Sequence, residues 1–250
     1  MRRVPAAGIT TTMATTTMTM VTTITMTEPA SLSDDGFLKL LTWLSPAFPT
    51  GGFAYSHGIE WAVETGDAKS TAGIVGWIVD ILEQGSGRTD AILLRHAHRA
   101  AGDAEALAEI AALAAALPGC RERLLETTAQ GNAFIAAARA WPHPILQQLG
   151  DDIAYPVAVG AIAASHGIAE ERATLGFLHT FAANLVSSAV RIIPLGQQAG
   201  LRILAALEPV LVAVCNDSRH QTLDDIGSSS IRADLAAMHH ETQYTRLFRT

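Results

Sequence analysis

The chain has 250 residues, of which 49% are hydrophobic and only 16% charged, with 17 Lys+Arg against 24 Asp+Glu and a formal net charge of −7. That composition excludes a disordered chain and argues against a grip on nucleic-acid phosphates. The length allows one large domain or two small ones, and no uninterrupted apolar run reaches the roughly 18 residues of a membrane span.

The first 27 residues stand apart, holding eleven threonines and five of the six methionines. They lack a signal-peptide core, so residues 1–33 are expected to be a disordered Thr/Met-rich lead-in, with Met26 a candidate translation start. From Asp34 onward the pattern is helical. Asp34 and Asp35 are candidate caps for a helix carrying Leu38, Leu41 and Leu44, and Pro46 stops it. Ser70 caps a longer helix in which Ile74, Trp77, Ile78, Ile81 and Leu82 share a face. Gly85-Ser86-Gly87 interrupts it and Asp90–Ala101 resumes. Leu107, Ile110, Leu113 and Leu117 mark the next helix, ended at Pro118-Gly119, and Arg121–Trp141 the one after. Pro156–His166 reads as a short Ala/Gly-rich helix whose Gly160 and Ala164 let a neighbour approach. In Glu170–Ile193, Leu175, Leu178, Ala182, Leu185, Ala189 and Ile192 recur at steps of three and four. Leu201–Val214 follows, its apolar run interrupted by Glu208 and Pro209, and the last amphipathic helix runs from about Ile231 to His240. Strand-type alternation is nearly absent. The expectation is an all-α domain of eight to ten helices over 34–216, followed by a C-terminal segment, 217–250.

The chemistry is restricted. Neither lysine, Lys39 or Lys69, follows a Gly-rich loop, so a P-loop is absent. Cys120 and Cys215 are far apart, which argues against a disulfide framework or a zinc site and for a reduced, cytoplasmic protein. His96 and His98 point about 200° apart on a helix, a spacing that cannot chelate one ion. His57, His239 and His240 remain weak metal candidates. Ser45 and Ser56 lie near His57, but no nucleophile elbow is present. A low charge content is also what a surface covered by partners requires.

Two segments carry more than packing needs. Ser45–Glu60, S-P-A-F-P-T-G-G-F-A-Y-S-H-G-I-E, sets Phe48, Phe53 and Tyr55 in a defined turn. It reads either as a corner plugged by aromatics or as a turn presenting Phe53 and Tyr55 to a partner. The tail, M-H-H-E-T-Q-Y-T-R-L-F-R-T, interleaves Tyr244, Leu247 and Phe248 with Arg246 and Arg249. Such an end docks on its own domain or folds onto another protein, and the second is favoured.

These segments resemble the urease accessory protein UreF family, with S-P-A-x-P-x-G-x-F-x-Y-S-x-G-x-E at Ser45–Glu60 and R-H-E-T-Q-Y-S-R-L-F-R-S in the tail. Tyr155–Gly160 and Leu185–Gln197 are similar to two further family blocks. Departures are His239 where the family commonly has Arg, Ala199 in place of a polar residue, and Thr245 and Thr250 in place of Ser.

The resemblance implies an all-α homodimer without catalytic activity or a permanent cofactor, acting away from membranes and nucleic acid. It would join UreD (also called UreH) and the GTPase UreG to deliver nickel, handled transiently, to apo-urease. It further implies partner recognition by Phe53, Tyr55, Arg246 and Arg249, with Tyr244, Leu247 and Phe248 as buried anchors of the tail. Arg191 is placed at a dimer contact, in an internal pair with a carboxylate such as Glu60, or toward a partner's nucleotide. Ser56, Glu60 and Gln197 would line a polar path for nickel. Two alternatives stand beside the scaffold: a GTPase-activating role with a finger from Arg191, Arg246 or Arg249, and nickel binding through His57, His239 or His240.

Overall fold

The computed structural model describes residues 33–250, so the Thr/Met-rich lead-in lies outside the described residues. Among those residues every regular element is a helix, as the periodicity predicts. Ten α-helices longer than one turn are joined by a single-turn helix and two 3₁₀ turns. In order they are α1 (Asp34–Trp43), a 3₁₀ turn (Gly52–Ala54), α2 (Ile59–Thr65), α3 (Thr71–Gln84) and α4 (Ser86–Arg99). Then come α5 (Ala104–Ala116), α6 (Arg121–Ala138), the single turn α7 (Ile145–Gln148), α8 (Tyr155–Ser165) and α9 (Glu170–Ile192). The chain closes with α10 (Gln197–Asp217), a 3₁₀ turn (Leu223–Asp225) and α11 (Ile231–His240).

Local signals explain most ends. Ser70 Oγ accepts the Gly73 N–H at 3.1 Å and starts α3 as expected. At α1 the cap is Ser33, whose Oγ takes the Gly36 N–H. Asp34 and Asp35 occupy the first turn, where their charge meets the positive helix end. α10 extends beyond Leu201–Val214 at both ends and carries Pro209 inside it. Pro209 and Ala205, the residue whose carbonyl it leaves without a helical donor, both face outward, where water can satisfy that carbonyl.

α8 is buried along nearly its whole length and forms the centre of the body. Its Gly160 packs directly on α4: a Cβ there would stand 2.2 Å from the Leu94 carbonyl oxygen. Around α8, the residues Trp43, Leu94, Phe134, Ile162 and Phe177 form one apolar cluster. A second joins α2, α3, α9 and α10 through Ile59, Ile78, Leu185 and Ile203. α9 serves both, and the predicted seam residues Leu178, Ala182, Leu185 and Ala189 are all buried on it. α9 and α10 are long and apolar enough by composition to cross a membrane, although His179 and Asn184 interrupt the apolar run of α9 and Glu208 and Pro209 that of α10. Half of the apolar window of α9 is buried inside this body.

One buried cation ties the outer helices together. Arg95 of α4, 1% exposed, donates to Glu170 of α9 and to the Cys215 carbonyl and Ser218 Oγ at the end of α10. His96 and His98 bond the Gln221 and Ile168 carbonyls, so both serve chain connections. Residues 217–250 belong to the same compact unit as the preceding helices, and α11 packs on α2, α3 and α6. Gly58 makes this possible. It sits at φ +76°, and a Cβ on it would come within 2.8 Å of the Ala237 backbone nitrogen.

Candidate functional site

The two singled-out segments meet. The turn at 51–58 and the strap that follows α11, residues 241–250, lie against each other over α2, α6 and the end of α9. Arg249 N–H donates to the Ala54 carbonyl at 2.8 Å, and the Ser56 N–H and hydroxyl both reach the backbone oxygen of Thr250 at 2.6 Å. The strap therefore docks on its own body, a correction to the expectation that it waits for another protein.

Three buried glutamates explain why. Glu60 of α2 accepts the strap N–H groups of Leu247 at 2.6 Å and Phe248 at 2.9 Å. Glu122 of α6 takes Arg246 at 2.8 Å, and Glu126, one turn further along, takes the Thr250 hydroxyl at 3.0 Å. His240, fully buried, lies between two of them, with Nδ1 2.7 Å from Glu122 and Nε2 3.1 Å from Glu60. A carboxylate cannot stay buried without such partners, and here the strap supplies them.

His57 closes a second network. It is buried at φ +55°, with Nε2 2.6 Å from Ser86 Oγ and Nδ1 2.6 Å from an Arg123 nitrogen. Glu126 Oε1 lies 3.4 Å from the same Nδ1. Ser86, His57 and Glu126 thus have the outline of a hydrolytic triad, but the tautomer is wrong. Arginine only donates, so Nδ1 accepts, Nε2 carries the proton and gives it to Ser86, and the serine has no base. Burial, helped by Arg123, lowers the His57 pKa and keeps the ring neutral. Burial raises the Glu126 carboxyl, but the Arg123 guanidinium beside it outweighs that and holds it below the usual carboxylate range. Asp90 of α4 is pushed up to about 7 by burial. It borders two cavities of about 30 and 130 Å³, both also lined by Arg123 and Thr127.

The predicted site residues separate accordingly. Phe53 is 64% exposed at the tip of the turn. Tyr55 is 4% exposed and packed in the core, so the corner-plug alternative replaces its role as a partner contact. Phe248 is buried against its own domain, whereas Tyr244 and Leu247 are exposed on it. Arg246 pairs with Glu122, and Arg249 faces solvent. Arg191 does not pair with Glu60. It donates to the Phe53 carbonyl and covers the Phe248 ring, 4.3 Å from its centroid. Ser56 and Glu60 are brought together under the strap, but Gln197 is exposed at the start of α10 and is not part of that group. The ring nitrogens of His57 and His240 are taken by protein groups. His239 stacks on Trp61 at 5.0 Å between centroids.

Sequence inspection missed Glu122, Arg123, Glu126, Ser86 and Asp90. A signal was present for α6: Glu122 and Glu126 are like charges four residues apart in a chain poor in charge, a pairing that needs outside cations.

The described residues thus form an all-α fold in which three buried glutamates seat a C-terminal strap. Comparison with known proteins identifies the family. The UreF family model matches residues 68–208. The chain is 54% identical over 218 residues to the urease accessory protein UreF of Bradyrhizobium sp. (strain ORS 278), covering 85% of this chain and 91% of that protein. It is 48% identical over 213 residues to that of Rhizobium leguminosarum bv. viciae, covering 85% and 96%. Against that of Rhodopseudomonas palustris (strain BisB5) it is 47% identical over 234 residues, covering 90% and 96%. The chain belongs to the UreF family of urease accessory proteins.

Proposed function

We propose that the chain is a non-enzymatic scaffold for urease maturation, a cytoplasmic homodimer that joins UreD/UreH and the GTPase UreG so that nickel reaches apo-urease. The observation that supports this most directly is the outer face of α11 and the strap. Ile231, Leu235 and Met238 recur at i, i+4 and i+7 on α11 and are 65%, 49% and 41% exposed. Tyr244 and Leu247 continue this apolar character along the strap and are wholly or largely exposed. Large exposed apolar residues in such number on one terminal segment are what a protein partner covers. Nickel is cargo in this reading, passed within the complex and held by no permanent site of this chain.

A GTPase-activating role draws on Arg249, whose exposed side chain is free to reach a partner's nucleotide; replacing it would then abolish stimulated GTP turnover while complex formation persists. The scaffold reading is tested in cells that carry the urease operon without their own copy of this protein. The wild-type chain restores urease activity and nickel content, and Tyr244→Ala/Leu247→Asp does not, with helix content unchanged. Full maturation by that double variant would contradict the assignment of the docking face.

A further inference from the structure

Arg191 bridges two parts of the chain that are far apart in sequence. It lies one residue before the last of α9 and is exposed. One edge of its guanidinium donates to the Phe53 carbonyl in the turn, and contacts to Ser187 O and Ser188 Oγ at 3.3 Å steady it from its own helix. Its flat face lies over Phe248 of the strap, 4.3 Å from the ring centroid. Beside it, Ser188 Oγ donates to the Tyr55 carbonyl at 3.0 Å, and Arg249 N–H donates to Ala54. Ser188 holds the turn and the Arg249 and Ser56 amides join turn to strap through the backbone; the guanidinium is the side chain that touches both segments.

We infer that Arg191 is a positioning residue that makes the turn and the strap one composite docking surface, so that Phe53 and Leu247 are presented together. A planar fork suits this task, because an edge and a face are used at once. The inference depends on the docking face described above only for the partner it serves. The coupling of turn to strap belongs to this chain alone.

The test is hydrogen exchange on the full chain, comparing Arg191→Ala, Arg191→Lys, Phe248→Leu and the double variant Arg191→Ala/Phe248→Leu. Loss of one charge-assisted hydrogen bond raises exchange about tenfold. Arg191→Ala is expected to do this at the Arg249 and Ser56 amides together, while amides in the middle of α9 keep their protection. Lysine, which still covers the ring but lacks the fork, gives about a threefold rise. The double variant exchanges no faster than the Arg191→Ala chain. A rise in only one segment, or additive effects in the double variant, would overturn the inference. So would unchanged exchange accompanied by loss of a partner's GTP turnover, which would make Arg191 a finger instead. If both segments loosen and a purified UreD partner is still retained in size-exclusion chromatography, the coupling stands and the docking face is wrong.

Discussion

Replacing Glu60 by alanine removes the acceptor that seats the strap. Its carboxylate takes the Leu247 and Phe248 amides at 2.6 and 2.9 Å and faces His240 Nε2 at 3.1 Å. A hydrogen bond to a charged group contributes about 1.5–3 kcal/mol, so two strap amides represent at least about 3 kcal/mol. The strap need not keep unsatisfied amides buried, because it can lift into water. Local opening therefore absorbs most of the cost. Protection of the Leu247 and Phe248 amides should fall about a hundredfold, since each 1.4 kcal/mol is a factor of ten. The midpoint of urea unfolding should move by only about 1–2 kcal/mol, because the helices do not depend on these bonds. Glu60→Gln should fall between, as its amide oxygen accepts one strap N–H while its NH₂ confronts the other. Amide exchange followed residue by residue decides the matter. Protection at Leu247 and Phe248 within about threefold of wild type, in a chain with unchanged helix content, would refute the seat.

Asp90→Asn should stabilise the protein increasingly as pH rises. A carboxyl raised to about 7 destabilises the fold only where it must ionise, so its penalty is absent near pH 3.5 and full above pH 7. Allowing for the solvent that reaches Asp90, thermal unfolding at pH 8 should show a gain of about 2 kcal/mol. Arg95→Met should cost about 3 kcal/mol in urea unfolding, since it strips the Cys215 carbonyl and Ser218 of a buried donor while Glu170 keeps Arg99. Gly160→Ala should cost about 2 kcal/mol in the same assay despite alanine's better helix propensity, because α4 and α8 must move apart.

Helix type and most boundaries were legible in the sequence because local chemistry sets them. Ser70 capped where it should, α11 spans Ile231–His240 as expected, and Gly160 marked the closest helix approach. Pro209 sits inside α10, as the reading of Leu201–Val214 as one helix requires, because solvent is available to the carbonyl it frees. The site was half legible. Turn and strap were recognised as special, but their contact depends on Glu60, Glu122 and Glu126, which act on residues 124–188 positions away in the chain. No local pattern carries that pairing. Tyr55 and Phe53 lie two residues apart, and only the 3₁₀ turn between Gly52 and Ala54 decides that one faces the core and the other solvent.

Light scattering coupled to size-exclusion chromatography of the purified chain with UreD and UreG tests most directly whether this molecule works by association. The account predicts a stable co-eluting assembly containing two copies of the chain, lost with Tyr244→Ala/Leu247→Asp. A monomer that elutes alone beside both proteins at micromolar concentration would contradict it.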